Sequence, residues 1–370
     1  MTAVAPWCDR GGFALRAGRL LESLTATWDV CLVCGDPREP VAAPWPPGGP
    51  HRVVLAPTAE PLEAVTRAHH HLAPLRRAVG KAVEEWRPAA LLLMPGTELL
   101  AAEGNVPPVV IDRVDCATLV TLRALKRWPQ RLLPVVGAAR YERRVLRFAR
   151  HAIVAGADDA RVLARLAGRV PVSVVPNGVD AAPSCCFDAE SPVPTVAFSG
   201  TLDYPPNTDA IRRFGRAIWP SIRRQVPDAR LLVAGRRPTP AVAALGTLVG
   251  VEIRADVRDM PSVLREAWVS VAPMRLGAGI KNKVLEAWAV GRPVVMTAVA
   301  ANGLALDRDQ RELIAEGPER IAELVVELLR DRDRRHRLGE SAHQAARTRH
   351  SWGECGEAVS RVLALASGPA

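Results

Sequence analysis

Aromatic side chains are scarce: the 370 residues include two tyrosines and five phenylalanines. Single-stranded nucleic acid is gripped by stacking bases on interleaved aromatics, so no nucleic-acid partner is expected. No stretch approaches the roughly 18 apolar residues that a membrane span needs. The start, MTAVAPWCDRGG, has neither the basic nor the apolar region of a signal peptide, and the expected location is the cytoplasm. Seven cysteines occur, Cys8, Cys31, Cys34, Cys116, Cys185, Cys186 and Cys355. Their one CxxC, in WDVCLVCGD, falls on an expected strand, where positions i and i+3 face opposite sides. No second CxxC or spaced histidine pair completes a zinc site, and His69, His70 and His71 form a run rather than a ligand spacing. Reduced thiols and no metal are expected. Lysine is nearly absent as well, with four residues against 45 arginines.

What is present is an apolar content of 48% and a net charge of +10, the marks of a globular protein with real cores. The length suggests two domains, at about 100–200 residues for each. Much of the charge is arginine scattered along helices. Residues 123–150 concentrate it: Arg123, Lys126, Arg127, Arg131, Arg140, Arg143, Arg144, Arg147 and Arg150 against one acid, Glu142. A solvated helix face accounts for such a strip most simply. An anionic membrane surface, an acidic substrate or nucleic acid would also use it.

Residues 271–297, VAPMRLGAGIKNKVLEAWAVGRPVVMT, organise the rest. VSVAP (269–273) reads as a short buried strand, and Gly277 and Gly279 bracket a turn. A helix follows with Val284, Leu285, Trp288 and Ala289 at helical spacing, then Gly291 and Pro293 stop it before VVMT. A glycine turn opening onto a helix presents backbone N–H groups and the positive end of the helix dipole, which suits phosphate. Two of the four lysines, Lys281 and Lys283, fall at this helix start, with Arg275 just before the loop. Cations there oppose the dipole, so a polyanionic ligand explains them better than helix stability does. A surface Lys283–Glu286 pair would be worth only about 0.3 kcal/mol.

Along the chain, TAVAPW is an expected first strand, and DRGG (9–12) turns into the helix FALRAGRLLESLTAT. WDVCLVCG, HRVVLA, AALLLM, PVVID, HAIVA and SVVP follow as strands. A Pro/Gly-rich loop at 37–50 reads as a mobile segment or a lid, and 58–87 as largely helical. PNGVDAAPSCCFDAESPVPT (176–195) breaks the pattern and marks a domain boundary. A second βα series then runs through TVAFSG, RLLVAG, VEIRA, VSVAP and PVVMT. Its clearest helix is NTDAIRRFGRAIWPSIRRQ, with Asn207 or Thr208 as the expected N-cap. Residues 318–330, 332–349 and 353–366 read as helices. This alternation argues for α/β architecture, two Rossmann-like domains facing a central cleft, with ligands outside the carboxyl ends of the strands.

FSGTLDYPPNTDAI, RLLVAGRRPTPAV, APMRLGAGIKNKVLEAWAVGRPVV, VVPNGVD and SWGE together resemble a known family. The chain is similar to GT-B-fold retaining glycosyltransferases of family four, the group 1 sugar transferases, and within them to exopolysaccharide-type sugar transferases of exosortase systems. The likeness covers 140–370 well and the first 140 residues loosely. It implies three parts: an acceptor-binding domain at 1–178, a nucleotide-sugar-binding domain at 179–350, and a final helix at 351–370 returning to the first. It also implies a nucleoside-diphosphate-sugar as co-substrate without a separate cofactor. The acceptor would be a carbohydrate, a lipid-linked molecule or a small molecule, and peripheral contact with the inner membrane face would follow from a lipid-linked one.

The resemblance assigns roles residue by residue. Glu286 matches the second glutamate of the E-x(7)-E motif, holding ribose hydroxyls. Gly277, Ala278, Gly279 and Ile280 would bring backbone amides to the diphosphate, with Gly200 and Thr201 flanking it and Gly12 facing it from the first domain. Val257, in RADVRDM (254–260), lies where the family frames the base. Ala278 stands where the first glutamate of the motif is expected, and Thr201 replaces the usual arginine, with the later lysine missing around Asn207. Arg275 and Lys281 are therefore assigned the diphosphate charge, with Lys283 as the alternate. Asp115, or Asp112 in the same IDRVD segment, is assigned to the acceptor. D-x-D at Asp307–Asp309 and Asp331–Asp333 reads as surface.

Three other functions compete. A dinucleotide oxidoreductase would need a third glycine that LGAGIKNK lacks. A non-catalytic sugar-nucleotide-binding protein is motivated by Ala278, and a basic nucleic-acid module by the charge.

Overall fold

The structure is a computed structural model describing residues 12–35, 52–56, 73–102, 106–125 and 132–368. The expected strand TAVAPW, Cys8, the loop at 37–50 and the run His69–His71 lie outside the described residues. Contacts divide the chain into two compact units, Met1–Asn177 with Trp352–Ala370, and Gly178–Ser351.

The described part of the first unit alternates helices and parallel strands. It contains α1 (Gly12–Leu24), β1 (Cys31–Gly35), β2 (Arg52–Ala56), α2 (Ala73–Trp86), β3 (Leu91–Leu93) and β4 (Val109–Val114). After these come α3 (Ala117–Leu125), α4 (Leu132–Leu146), β5 (His151–Val154), α5 (Ala157–Ala167) and β6 (Val172–Val174). β1 pairs with β2, and a four-stranded sheet runs β3-β4-β5-β6, every pair parallel. Parallel sheets need both faces covered. One face is covered by α1 together with the final helix, α11 (Trp352–Ser367). Leu20 and Leu24 meet Trp352, Cys355, Val359 and Leu363 over Val110, Ile153 and Val175. Gly356 makes the crossing tight, because a Cβ there would lie 1.8 Å from Ser23 Oγ. On β1, Cys31 packs with Val33, Leu75 and Val79, and Cys34 packs with Leu21 and Leu32, so the two thiols face opposite sides.

The second unit begins with β7 (Thr195–Ser199) and α6 (Pro205–Arg213), which runs on through a wider turn at Phe214–Ile218 into Trp219–Gln225. The expected cap of this helix is corrected: Tyr204 is the N-cap and Pro205 and Pro206 open the first turn, as fixed φ favours. Asn207 and Thr208 turn their side chains back to the Thr201 and Leu202 carbonyls instead. β8 (Arg230–Gly235), β9 (Val251–Ala255), α7 (Met260–Glu266), β10 (Val269–Ala272), α8 (Asn282–Ala289) and β11 (Val294–Met296) follow. α9 (Pro318–Arg330) and α10 (Arg332–Arg349) close the unit with the boundaries that the sequence periodicity gives. Their sheet is parallel in the order β11-β10-β7-β8-β9. Successive strands step outward from β7 to β9, then the chain returns to the other side of β7 at β10. That reversal is a topological switch point, where open α/β sheets bind ligands beyond the strands' carboxyl ends.

Both D-x-D segments have structural work. Asp307 caps the short helix Arg308–Glu312 through a capping box with Gln310, and Asp331 caps α10. Among the described residues no group of three or more His, Cys, Asp or Glu side chains converges as a metal site would require, and no helix is long and apolar enough to cross a membrane.

Candidate donor site at the switch point of the second unit

Two loops meet at the carboxyl ends of β7 and β10. The β7 loop turns at Gly200 (φ +142°), and β8 ends at Gly235 against it. A Cβ on Gly235 would sit 1.7 Å from the Gly200 carbonyl oxygen, so only glycine lets these strand ends approach. The β10 loop carries Gly277 (φ +100°) and Gly279 (φ +62°), the left-handed backbone that glycine supplies at little cost. Around and between them Leu276, Ala278 and Ile280 are buried, which pins the loop to the core. α8 starts immediately after, with Lys281 as its N-cap and no side-chain cap on its first turn.

The three cations of this segment are placed differently. Arg275 is 37% exposed and paired with Asp209 of α6 through both guanidinium nitrogens, Nη2–Oδ1 3.0 Å and Nε–Oδ2 3.3 Å. A pair as open as this contributes at most about 1 kcal/mol, so an incoming dianion could draw Arg275 away. Lys281 folds back onto its own loop, donating to the Ala278 and Gly279 carbonyls at 2.5 and 2.9 Å. Lys283 reaches across to the other loop. Its Nζ donates to Asn207 Oδ1 at 2.8 Å and stands 3.9 Å from the centroid of the Phe198 ring. It lies 3.0 Å from where a Gly200 Cβ would be. Burial lowers its pKa from 10.5 to about 7; Glu286 opposes that shift and Lys281 adds to it. Facing the negative face of an aromatic ring is favourable for an ammonium, but it replaces little of the lost water.

Glu286, one turn along α8, is half-buried. Burial raises its pKa, and only the charge of Lys283 opposes the shift. Its carboxylate accepts no hydrogen bond from any described residue. A half-buried carboxylate with no protein donor on either oxygen, beside a half-desolvated lysine, has capacity left for a ligand. Thr201 offers its carbonyl to Asn207 and is partly exposed. Val257 packs at the edge of the cluster Leu232, Ala234 and Val263, after the left-handed Asp256 (φ +50°). The structure thus brings Gly200, Thr201, Gly277–Ile280, Lys281, Lys283 and Glu286 to one corner of the second unit, with Arg275 at its rim. Asn207, named from the sequence as a helix cap, and Phe198 steer Lys283, and neither was assigned to the site from the sequence. A signal for Asn207 was present, since it follows the Gly200 turn at the start of the next helix.

In the first unit, Gly12 is the first residue of α1. Asp112 is buried and ion-paired with the buried Arg16 (Nε–Oδ2 2.8 Å), whose Nη1 also reaches Asn177 Oδ1 at 2.7 Å. Arg113 is ion-paired with Glu98 and Glu142 and lies over the Tyr141 ring. Glu142, the one acid of the basic strip, is wholly buried and caps α3: Ala117 N donates at 2.7 Å, Thr118 N at 3.2 Å and Thr118 Oγ1 at 2.5 Å. Between these anchored residues Val114 adopts φ +58° at a β-bulge of β4. A β-branched residue there is strained, and such strain concentrates at functional sites. Asp115, partly exposed, comes directly after it. Of the two acids considered for the acceptor, Asp112 is held in the core by Arg16 and Asp115 sits on the strained turn.

With this geometry in place, comparison gives the class. Residues 193–331 match the family model described as Glycosyl transferases group 1. The fold matches the sucrose-phosphate synthase of Thermosynechococcus elongatus with TM-score 0.74 at 15% identity, covering 98% of this chain and 97% of that one. It matches Anabaena HepE, solved with UDP and glucose, with TM-score 0.65 at 14% identity, covering 97% of each chain. It matches WaaG, a glycosyltransferase involved in lipopolysaccharide biosynthesis, with TM-score 0.64 at 14% identity, covering 96% of each. No curated protein sequence matches the chain. The fold is therefore that of the GT-B glycosyltransferases. The match to the group 1 glycosyl transferase model lies within the second unit.

Proposed function

We propose that the chain moves a sugar from a nucleoside-diphosphate-sugar to an acceptor hydroxyl, retaining the anomeric configuration and needing no metal ion. The observation that carries this reading is the pair on α8: the Glu286 carboxylate has no protein donor, and Lys283, beside Gly200, has lost much of its hold on its proton. Vicinal ribose hydroxyls suit the first, and a diphosphate suits the second. HepE, with the same fold, was solved with UDP-glucose, which supports a donor of that class. The first unit is the acceptor domain in this reading.

In the reaction, the bond from the anomeric carbon to the diphosphate oxygen breaks and an oxocarbenium-like state forms. Lys283 and the start of α8 stabilise the charge gathering on the leaving oxygens, joined by Lys281 and Arg275 when the donor displaces their present partners. The acceptor hydroxyl attacks from the face that the diphosphate leaves and gives it the proton. Asp115 orients the acceptor. Buried Ala278 brings no carboxylate to the donor sugar, and this favours a second reading, donor binding without transfer.

Thermal shift with a panel of nucleoside diphosphates and their sugars tests the donor class, because a ligand at 100 times its Kd adds about 2.7 kcal/mol of apparent stability. Binding with turnover of a nucleotide-sugar is the expected result. Binding with neither transfer nor slow hydrolysis would select the second reading, and no binding by any of them would end both.

A further inference from the structure

We infer that the outward face of α4 is a docking surface for a bilayer of anionic phospholipid. The inward face of this helix is settled, with Val135, Glu142, Val145 and Leu146 buried. Outward, its first turns expose Leu132 (57%), Leu133 (82%) and Val136. The later turns expose Arg140, Arg143 and Arg144, with Arg147 and Phe148 directly after the helix end. Positions 132, 136, 140, 143 and 147 recur at helical spacing, so leucine and valine at one end and arginine at the other form one stripe.

The four guanidiniums have no hydrogen bond or ion pair among the described residues. Elsewhere exposed arginines divide: Arg237, Arg320, Arg337 and Arg349 are paired, while Arg165, Arg169, Arg216 and Arg224 stand singly among the described residues, so what sets this face apart is the gathering of open guanidiniums on one helix. The one acid on α4 points inward and is consumed in capping α3. A face with open cations and no acid complements an anionic plane. Its apolar end matches the shallow acyl boundary, where interfacial helices bury a few side chains while arginines reach the phosphates. Leu122 of α3, the helix that α4 caps, adds a further exposed apolar group. Through Glu142 the inward side of the same helix holds the turn that carries Asp115.

The test uses the full chain with sedimenting vesicles of phosphatidylcholine, with or without a fifth of phosphatidylglycerol. The expected result is co-sedimentation with the anionic vesicles only, weakened by salt. Arg143→Gln, Arg144→Gln and Arg147→Gln together should lower it roughly 100-fold, at about fivefold for each charge near the surface. The Arg143→Lys, Arg144→Lys variant should retain it, since charge rather than fork geometry is at work. Leu132→Ser with Leu133→Ser should remove the salt-resistant fraction. All these side chains are exposed, so each variant should keep the wild-type Tm and nucleoside-diphosphate binding. The inference is overturned if the wild-type chain stays in solution with anionic vesicles, or if the glutamine variant sediments as well as wild type. It is also overturned if, without vesicles, these substitutions convert a dimer to a monomer, which would give the face to a second copy.

Discussion

The carboxyl end of β4 in the first unit gathers charged groups in the core and those of β7 and β10 in the second gather them in half-buried ground, and they treat them oppositely. Around β4 every charge has a partner. Arg16 neutralises Asp112, and Glu98 and Glu142 neutralise Arg113. Glu142 further takes two amides and a hydroxyl from α3. At the second unit's switch point Lys283 has a single neutral hydrogen-bond acceptor and an aromatic ring, and Glu286 has no donor. The first arrangement spends its polar groups on holding a strained turn in place. The second leaves them under-satisfied, which costs stability in the empty protein and leaves binding capacity for a ligand that carries both hydroxyls and negative charge.

Removing one carboxylate from each side sharpens the contrast most. Glu142→Ala should destabilise the protein by about 3 kcal/mol, because it removes one of the two carboxylates paired with Arg113, leaves the Ala117 and Thr118 donors without an acceptor and so uncaps a helix. Denaturant unfolding measures this, and a loss below about 1 kcal/mol would mean that the β4 cluster is ornamental. Glu286→Gln should change stability by less than about 1 kcal/mol, since the carboxylate has no donor to lose. Its raised pKa gives the sign: the folded state holds that proton more tightly than the unfolded chain, so the charged form at neutral pH is a mild burden that glutamine relieves. Affinity for a nucleoside diphosphate should nonetheless fall at least tenfold, because an amide offers one acceptor where two hydroxyls need two. Titration calorimetry reads this directly. If stability collapsed while affinity held, Glu286 would belong with Glu142.

The same contrast explains what could be read in advance. The glycine loop, α8, β10 and the late helices were legible because glycine, proline and helical spacing act locally. That Lys281 and Arg275 would be engaged by the loop's carbonyls and by Asp209, leaving Lys283 to face the second loop, was not legible. It depends on which strand lies beside β7, and that is fixed by sheet order rather than by neighbouring residues. The β4 segment hid its division of labour for a similar reason. IDRVD shows two aspartates, and only the burial of Arg16 against one of them separates their roles. The basic strip at 123–150 was visible as composition, but the inward turn of its one acid needed α4 to be placed on α3.

The smallest expected effect is a pH dependence that belongs to the second site alone. The free Lys283 ammonium titrates near 7, whereas beside a bound diphosphate it should stay protonated. Below pH 7 the group is charged in both states and affinity should be flat. Above pH 7 binding takes up a proton, and affinity for a nucleoside diphosphate should fall by up to about tenfold for each pH unit. Folding stability should move the other way. The unfolded chain, with its ordinary pKa of 10.5, keeps the proton over the interval from about 7 to 10.5 in which the folded protein has released it, so burying this lysine becomes less costly as pH rises. Lys283→Arg should abolish both slopes, because guanidinium stays charged throughout. Affinity that is level from pH 7 to 9 in the wild-type protein, or a slope that survives in the arginine variant, would place the proton elsewhere and return the diphosphate to Lys281 and Arg275.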